Sequence, residues 1–253
     1  MSNWALAATL VFVLVTMLLS IRRKLGLEKE IAVGTVRAAV QLFLIGYVLH
    51  FVFDTRNPAL IVLIIAGMIT VAAFNAGKRA DRIPGIRLRI AATLLVTEAL
   101  TMGLLLSLRI IEATPQYIIP VSGIIIGSSM IVAGLFLSAM TRELEAARGE
   151  IEALLSLGAT TRQALRHSAG RAVRSSMIPT FDGMKTVGLV QLPGMMTGMI
   201  VAGAEPIEAV RYQILIMFVL SASAAITAIM LGTVTAGLWF TAEGMVRRAG
   251  RQG

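Results

Sequence analysis

The sequence predicts an all-α, polytopic membrane protein with seven transmembrane helices and a cytoplasmic helix-turn-helix insert. Hydrophobic residues make up 57% of the 253 residues and charged residues only 15%, and the mean hydropathy is +0.82. Both values lie far outside the usual range of soluble proteins. The apolar residues form seven runs of about 20 residues, long enough to cross a hydrocarbon core. One long polar stretch, residues 141–185, interrupts these runs.

The seven apolar runs define the predicted spans. They cover residues 4–21, 31–53, 59–76, 90–111, 118–140, 183–203 and 210–240. A single transmembrane domain therefore consists of residues 1–140, the insert 141–182 and residues 183–253. The first run is followed, not preceded, by Arg22, Arg23 and Lys24. This is the reverse of the charge order in a secretory signal peptide, so we expect the run to remain as a span.

Basic residues set the predicted orientation. Lys and Arg gather at residues 22–30, 77–89, 141–185 and 247–251, whereas the alternate loops hold a single basic residue each. Because short cytoplasmic loops are enriched in Lys and Arg, we expect the N-terminus outside and the C-terminus inside the cytoplasmic (inner) membrane. The net charge of +9 is explained by basic residues that orient the spans and contact anionic lipid headgroups, so we do not expect nucleic-acid binding. The chain has no cysteine, which excludes disulfides and thiolate metal sites.

The polar insert is predicted to form two helices. Apolar residues at helical spacing over 140–157 indicate that the fifth span continues into the cytoplasm as one long helix. Gly158 is expected to end it, and Thr160 or Thr161 to cap a second helix that ends at Pro179. The second helix carries a basic face. This face suits two hypotheses, an interfacial helix lying on anionic lipid or an element that couples the spans to a partner.

The turn between these helices resembles the EAA loop of ABC-transporter permeases, which docks into a cleft of the ATPase subunit. The residues that carry the resemblance, with two arginines of the following helix, are Glu152, Ala153, Gly158, Ala159, Thr160, Arg162 and Arg166. A helix pair with a glycine turn presents a short rigid knob, which suits the transmission of movement to the attached spans. These seven residues are the predicted coupling site.

Residues 177–218, MIPTFDGMKTVGLVQLPGMMTGMIVAGAEPIEAVRYQILIMF, and 37–49, RAAVQLFLIGYVL, are similar to the FetB family of ABC-type iron-export permeases. That family is related to plant half-transporters of aluminium tolerance and nucleotide-sugar export. The resemblance implies a permease homodimer that pairs with a separate cytosolic ABC ATPase, exports a metal cation, above all iron, and serves resistance to oxidative stress. No Walker A motif occurs in the sequence, so we expect no enzyme activity and no cofactor here; ATP and Mg²⁺ would bind the ATPase.

The substrate pathway is predicted from residues that break or polarise the spans. Pro193-Gly194 lies in the sixth run, where proline removes a backbone donor, so we expect a broken helix near the bilayer midplane. Met195, Met196 and Met199 follow the break. Their thioethers are candidate metal ligands, although methionine in apolar spans also serves as flexible core filler.

Glu98 is the acidic residue that lies well inside a predicted span, and Arg37 lies at a similar depth in another. Two hypotheses follow: a buried Arg37–Glu98 ion pair that fixes helix register, or a cation or proton site at Glu98, with the three methionines as further ligands. Gln41, one turn from Arg37, and Gln191, two residues before Pro193, are expected to line the same polar interior.

Two alternative functions remain at this point. One is the export of a nucleotide sugar or another anion, for which Arg37 is better suited than Glu98. The other is a non-transport membrane scaffold or sensor whose insert binds a signalling partner. A stripe of small residues in the seventh span, Ala224, Ala228, Gly232 and Ala236, predicts a close helix contact, either within the subunit or between two copies.

Overall fold

The computed structural model of the protein describes residues 4, 8–55, 57–81, 83–241, 245 and 247, in which the regular elements are helices, as predicted. In chain order they are α1 (Leu10–Arg23), α2 (Glu28–Thr55), α3 (Pro58–Gly77), α4 (Ile86–Ser107), α5 (Pro115–Ala146), α6 (Arg148–Ser156), α7 (Thr161–Thr186), α8 (Gly194–Val201) and α9 (Pro206–Val234). Short 3₁₀ helices follow α3 (Lys78–Ala80) and α9 (Ala236–Trp239).

Five of the seven predicted spans are helices long and apolar enough to cross a membrane. In the described residues these helices are Glu28–Phe53, Pro58–Ala80, Ile86–Ser107, Pro115–Ala146 and Pro206–Val234. Helix α4 (Ile86–Ser107) differs in its limits from the fourth predicted run, residues 90–111. Helix α4 ends before Arg109, whose left-handed backbone (φ 52°) turns the chain out of the helix.

The chain before Pro58 forms one compact unit and the chain from Pro58 onward a second. In the first unit, α1 covers part of the predicted span 4–21, and residues 5–7 of that run lie outside the described residues. The Ser20 hydroxyl joins α1 to α2, because it donates to Glu28 Oε1 at 2.8 Å and accepts from the Leu27 N–H at 3.2 Å. Lys24 and Gly26 take left-handed conformations in the connecting turn.

Helix α5 is the central element of the second unit and packs against α3, α4, α7 and α9. Its buried residues Ala133, Phe136, Leu137 and Met140 follow the three-to-four-residue spacing of one helical face, and they belong to the main apolar core. The helix begins with Pro115 in its first turn, where a missing N–H costs nothing. The elements around α5 therefore share one core.

The prediction of one long helix through 140–157 is wrong. Helix α5 ends at Ala146, since Ala147 leaves the helical region (φ −98°, ψ 14°), and α6 starts directly after it. The bend keeps its backbone hydrogen bonds, from the Ala147 N–H to Glu143 O and from the Ile151 N–H to Ala147 O. It also buries Ile151 in the same core as the end of α5, so tertiary packing outweighs helix continuity.

The predicted end of the second insert helix at Pro179 is also wrong, because α7 continues through Pro179 to Thr186. Proline inside a helix costs about 3 kcal/mol. The part of α7 before Pro179 is held by packing, since Leu165, Ala172 and Ser176 are buried against the rest of the second unit. The predicted start is confirmed: Thr160 caps α7 in a reciprocal capping box with Gln163.

The small-residue stripe of the seventh span lies within the subunit. Ala224 and Ala228 of α9 are completely buried, in a cluster with Val132 of α5 and residues of α7. A Cβ atom added to Gly232 would lie 3.5 Å from Val173 Cγ2. The small side chains thus let α9 approach α5 and α7 closely.

A leucine pair tests how the helical insert is anchored. Leu165 is 1% exposed and Leu157 is 85% exposed. We expect Leu165→Ala to lower the free energy of unfolding by about 2–5 kcal/mol, because it leaves a cavity in the core, and Leu157→Ala to leave it nearly unchanged. Melting temperatures in one detergent measure both effects, and equal melting temperatures for the two variants would contradict the packing described above.

Candidate functional site

The predicted broken helix is present, and its break is a hydrogen-bonded turn. Helix α7 ends at Thr186 and α8 starts at Gly194, so residues 187–193 are not helical. Gly188 takes a left-handed conformation (φ 82°), and its N–H donates to Gln191 O at 2.9 Å. Pro193 occupies the N-cap position of α8, and its carbonyl accepts hydrogen bonds from the N–H and the hydroxyl of Thr197.

Three contacts between α5 and the chain from α7 to α8 show which part of α5 lies beside the break. Arg171 Nε of α7 lies 2.5 Å from Glu143 Oε2, near the end of α5. Farther along, Met177 packs beside Val132 in the middle of α5. Beyond the break, Met195 packs in a cluster with residues near the start of α5. Helix α7 therefore runs antiparallel to α5, and the break lies beside the middle of this apolar helix.

A partly open cavity of about 340 Å³ lies at the break. Its walls come from α5, α7, the turn after α7 and α9. The polar residues in its wall are Ser128, Ser176, Thr180, Gln191 and Gln213, and the other lining residues are aliphatic residues, glycine, two prolines and Met217. This volume is within the range of small-molecule sites, which combine mostly apolar walls with a few polar groups.

Among these polar residues, Gln213 has a buried amide group whose hydrogen bonding is incomplete. Its side chain is 7% exposed, and its amide oxygen is buried without a hydrogen-bond partner in the described residues. Burying an amide without a hydrogen bond costs about 1–3 kcal/mol. Gln213 lines the cavity, but its amide oxygen is covered by protein atoms and is not accessible from it.

The predicted pathway residues separate into three groups. Gln191 and Pro193 line the cavity, and Gly194 opens α8. Met195, Met196 and Met199 are half-buried on α8 and are not among the lining residues. Arg37 and Gln41 belong to α2 in the first unit. No three His, Asp or Glu side chains of the described residues come together as metal ligands.

Glu98 occupies a different polar site, on α4. It is 5% exposed, and neither carboxyl oxygen has a hydrogen-bond partner in the described part of the chain. Ser122 of α5 lies beside the carboxyl group, in a geometry that does not form a hydrogen bond. Buried hydroxyls surround this level of α4, and Thr97 is 3.1 Å from Thr227 of α9. The Arg37–Glu98 pair stays a prediction, since the two residues belong to different units.

The predicted coupling residues lie together at the turn between α6 and α7. The turn bends at Gly158 (φ 89°), which permits the left-handed backbone. Ala159 is half-buried, while the exposed members are Glu152, Ala153, Gly158, Thr160, Arg162 and Arg166. Glu152 pairs with Arg148 of the same helix at 2.8 Å. The opposite face of the pair is fixed by Ile151 and Leu165 in the core.

Sequence reasoning missed Gln213, Ser128, Ser122 and Leu157. Gln213 interrupts an apolar run, so its amide was a detectable signal. Ser128 and Ser122 carry no such signal, because serine is tolerated in spans, where its hydroxyl can bond the helix backbone. Leu157 directly precedes Gly158, but only the structure reveals that this large apolar side chain is exposed at the tip of the turn.

The chain matches the family described as "Uncharacterised protein family (UPF0014)" over residues 3–240. It is 45% identical over 248 residues to the UPF0014 membrane protein YjkA of Bacillus subtilis, covering 98% of this chain and 99% of that protein. It is 38% identical over 223 residues to the protein ALUMINUM SENSITIVE 3 of Arabidopsis thaliana (88% and 82%). It is 37% identical over 229 residues to the probable iron export permease protein FetB of Escherichia coli (90% and 88%). No solved structure matches the chain.

A charge-removing variant tests whether Glu98 is paired. An unpartnered carboxyl group is costly to bury, so we expect Glu98→Gln to leave the free energy of unfolding unchanged or to raise it by up to about 2 kcal/mol. The exposed Glu145 supplies the control variant Glu145→Gln, which should have no effect. A lower melting temperature for Glu98→Gln that Arg37→Gln restores in the double variant would instead establish the ion pair.

Proposed function

The chain belongs to the UPF0014 family of membrane proteins, and on that premise we propose that it is the permease subunit of an ABC transporter. In this proposal a separate cytosolic ATPase binds ATP and Mg²⁺ and supplies the energy. Two copies of the chain and two ATPase subunits make up the transporter, as the resemblance to FetB implies.

The observation that carries the proposal is the continuity of α7. This helix starts at the exposed turn that resembles the ATPase-docking loop and ends at the cavity in the break. Its 26 residues extend over about 39 Å. A displacement of the turn by the ATPase would be transmitted to the cavity wall, because one continuous helix joins them and its residues from Ala164 to Ser176 are fixed by buried side chains.

The tip of the insert has the chemistry of a docking surface. Leu157 is an exposed apolar side chain at its end, and Arg162 and Arg166 are exposed beside it. An apolar anchor with a polar rim is the usual composition of a binding hot spot. A lipid-bound helix would place its apolar face toward the membrane, whereas the apolar face of α7 is used in the protein core.

The proposed topology keeps seven crossings, with the sixth made of two helices. Residues 175–186 of α7 extend over about 18 Å and include the Asp182–Lys185 ion pair at 2.9 Å, and the eight residues of α8 add about 12 Å. Together these lengths approach the thickness of the hydrocarbon core, about 30 Å. In the proposed topology the N-terminus is outside, the insert and the C-terminus are in the cytoplasm, and the break is near the midplane.

The proposed cargo is a metal cation, with iron as the first candidate. Support comes from the similarity to FetB and from Glu98, a buried carboxyl group within a spanning helix. Intramembrane carboxyl groups commonly mark cation or proton pathways. Export of a nucleotide sugar remains the alternative. A scaffold or sensor function would not need the cavity at the break.

Association with the ATPase tests the coupling proposal. We expect Leu157→Ala to weaken binding to a co-expressed ABC ATPase about tenfold or more, because it removes the central apolar anchor of the tip. Leu189→Ala is the matched control, since Leu189 is as exposed but lies in the break. Co-purification from membranes measures both. Unchanged binding by Leu157→Ala together with normal insertion would remove the tip as the docking site.

Cysteine labelling tests the proposed topology, and the absence of native cysteine makes each variant selective. We expect Thr114→Cys and Glu205→Cys to react with an impermeant maleimide in intact cells, because both loops face outside. Leu157→Cys should react only after permeabilisation. If Glu205→Cys also required permeabilisation, the chain from α7 to α9 would not cross the membrane, and the composite sixth crossing would be wrong.

A further inference from the structure

The end of α7 presents an exposed face that is both apolar and charged. Ile178, Phe181, Asp182 and Lys185 are exposed, and their spacing places them on one side of the helix. Asp182 and Lys185 form an ion pair whose side chains are 57% and 73% exposed. Charged side chains are costly to place against lipid. This face of α7 therefore needs a protein neighbour where it lies in the membrane.

The backbone of the break leaves carbonyl groups open beside this face. Residues 188–190 are exposed, and no N–H or hydroxyl of the described residues donates to the carbonyl oxygens of residues 187–190. Non-helical backbone within a membrane is tolerated only where protein covers it or where it lines a water-filled cavity. The break, like the end of α7, cannot face hydrocarbon.

Helix α8 adds a close-packing motif that is open in the described structure. Gly194 and Gly198 form a Gly-x-x-x-Gly pair, and Thr197 and Val201 are exposed on the same side of the helix. A Cβ atom added to either glycine would meet no atom within 4 Å. Such glycine pairs let two spanning helices approach closely. The motif therefore suits a helix that is not yet beside it.

We propose that the exposed side of residues 178–201 is the surface on which a second copy of this chain packs. It is self-complementary under two-fold symmetry, because Asp182 of each copy can lie one helical turn along from Lys185 of the other. Close approach of the two α8 helices at their glycine pairs would exclude lipid from the break.

A second copy on this surface would also adjoin the partly open cavity, since Gly183, Gln191 and Pro193 belong to the cavity wall. The proposal rests on the proposed function, because it uses the membrane position given there to the break. It deepens that function by assigning the surface through which two permease subunits meet.

Energy transfer between donor-labelled and acceptor-labelled full-length copies in liposomes tests this proposal. We expect the natural chain to dimerise and Gly198→Leu to raise the apparent dimer Kd about tenfold or more, because the new side chain separates the α8 helices. The matched control is Gly103→Leu, which changes an exposed glycine of α4 that also has no atom within 4 Å of an added Cβ. It should keep the dimer Kd of the natural chain, and melting temperatures in detergent check that both variants fold.

Charge reversal tests the same surface without a change in packing volume at the glycines. Asp182→Lys and Lys185→Asp should each weaken the dimer severalfold, because each brings like charges together across the two-fold axis. The double variant, with both charges exchanged, should recover most of the lost affinity. Glu145→Lys, at an exposed position of α5, supplies the control and should leave the dimer Kd unchanged.

Three results would overturn the proposal: a natural chain that stays monomeric in liposomes, a Gly198→Leu variant that dimerises as well as Gly103→Leu, or an exchanged charge pair that dimerises no better than the single reversals. The measurement needs no ATPase. Failure of the permease proposal is recognised separately, as the absence of ATPase binding at the insert, and failure of the topology as protection of Glu205→Cys in intact cells.

Discussion

The backbone between α7 and α8 must satisfy its own polar groups, and the rest of the candidate site depends on how it does so. In an apolar environment each unsatisfied N–H or C=O costs several kcal/mol. The Gly188 N–H finds Gln191 O within the turn, and Pro193 has no N–H to satisfy. The carbonyl of Pro193 accepts from Thr197. This local solution lets the chain leave the helix beside the middle of α5, and the cavity lies at that interruption.

Helix α5 connects the three candidate regions of the second unit. Ser122 lies beside Glu98, Ser128 lines the cavity, and Glu143 pairs with Arg171 of α7 near the insert. Between them, Phe136 is fully buried in the main core. Because packed cores resist continuous deformation, α7 is expected to shift against α5 between discrete arrangements. Such a shift would change the cavity wall and the docking tip together.

Local signals predicted the elements that depend on local chemistry. Hydropathy identified five helices that are long and apolar enough to cross a membrane, Gly158 predicted the turn of the insert, and Thr160 predicted the cap of α7. Tertiary packing decided the rest. The chain bends at Ala147 where Ile151 enters the core, and α7, buried from Ala164 to Ser176, continues through Pro179 against its helix-breaking tendency. The cavity was only half predicted, through Gln191 and Pro193, because Gln213 and Ser128 come from other helices that the sequence does not place beside the break.

The two buried polar sites differ in a way that bears on the cargo. Glu98 can carry charge, yet it is not among the residues that line the cavity; Gln213 lines the cavity and is neutral. Both residues leave acceptor oxygens unsatisfied in the described structure, and isosteric apolar side chains would be less costly at either position. Such a cost is typical of groups retained for function. The two sites are therefore chemically distinct: the cavity at the break is lined by an amide and hydroxyls, whereas the one carboxyl group buried in a described apolar helix lies on α4, outside that lining.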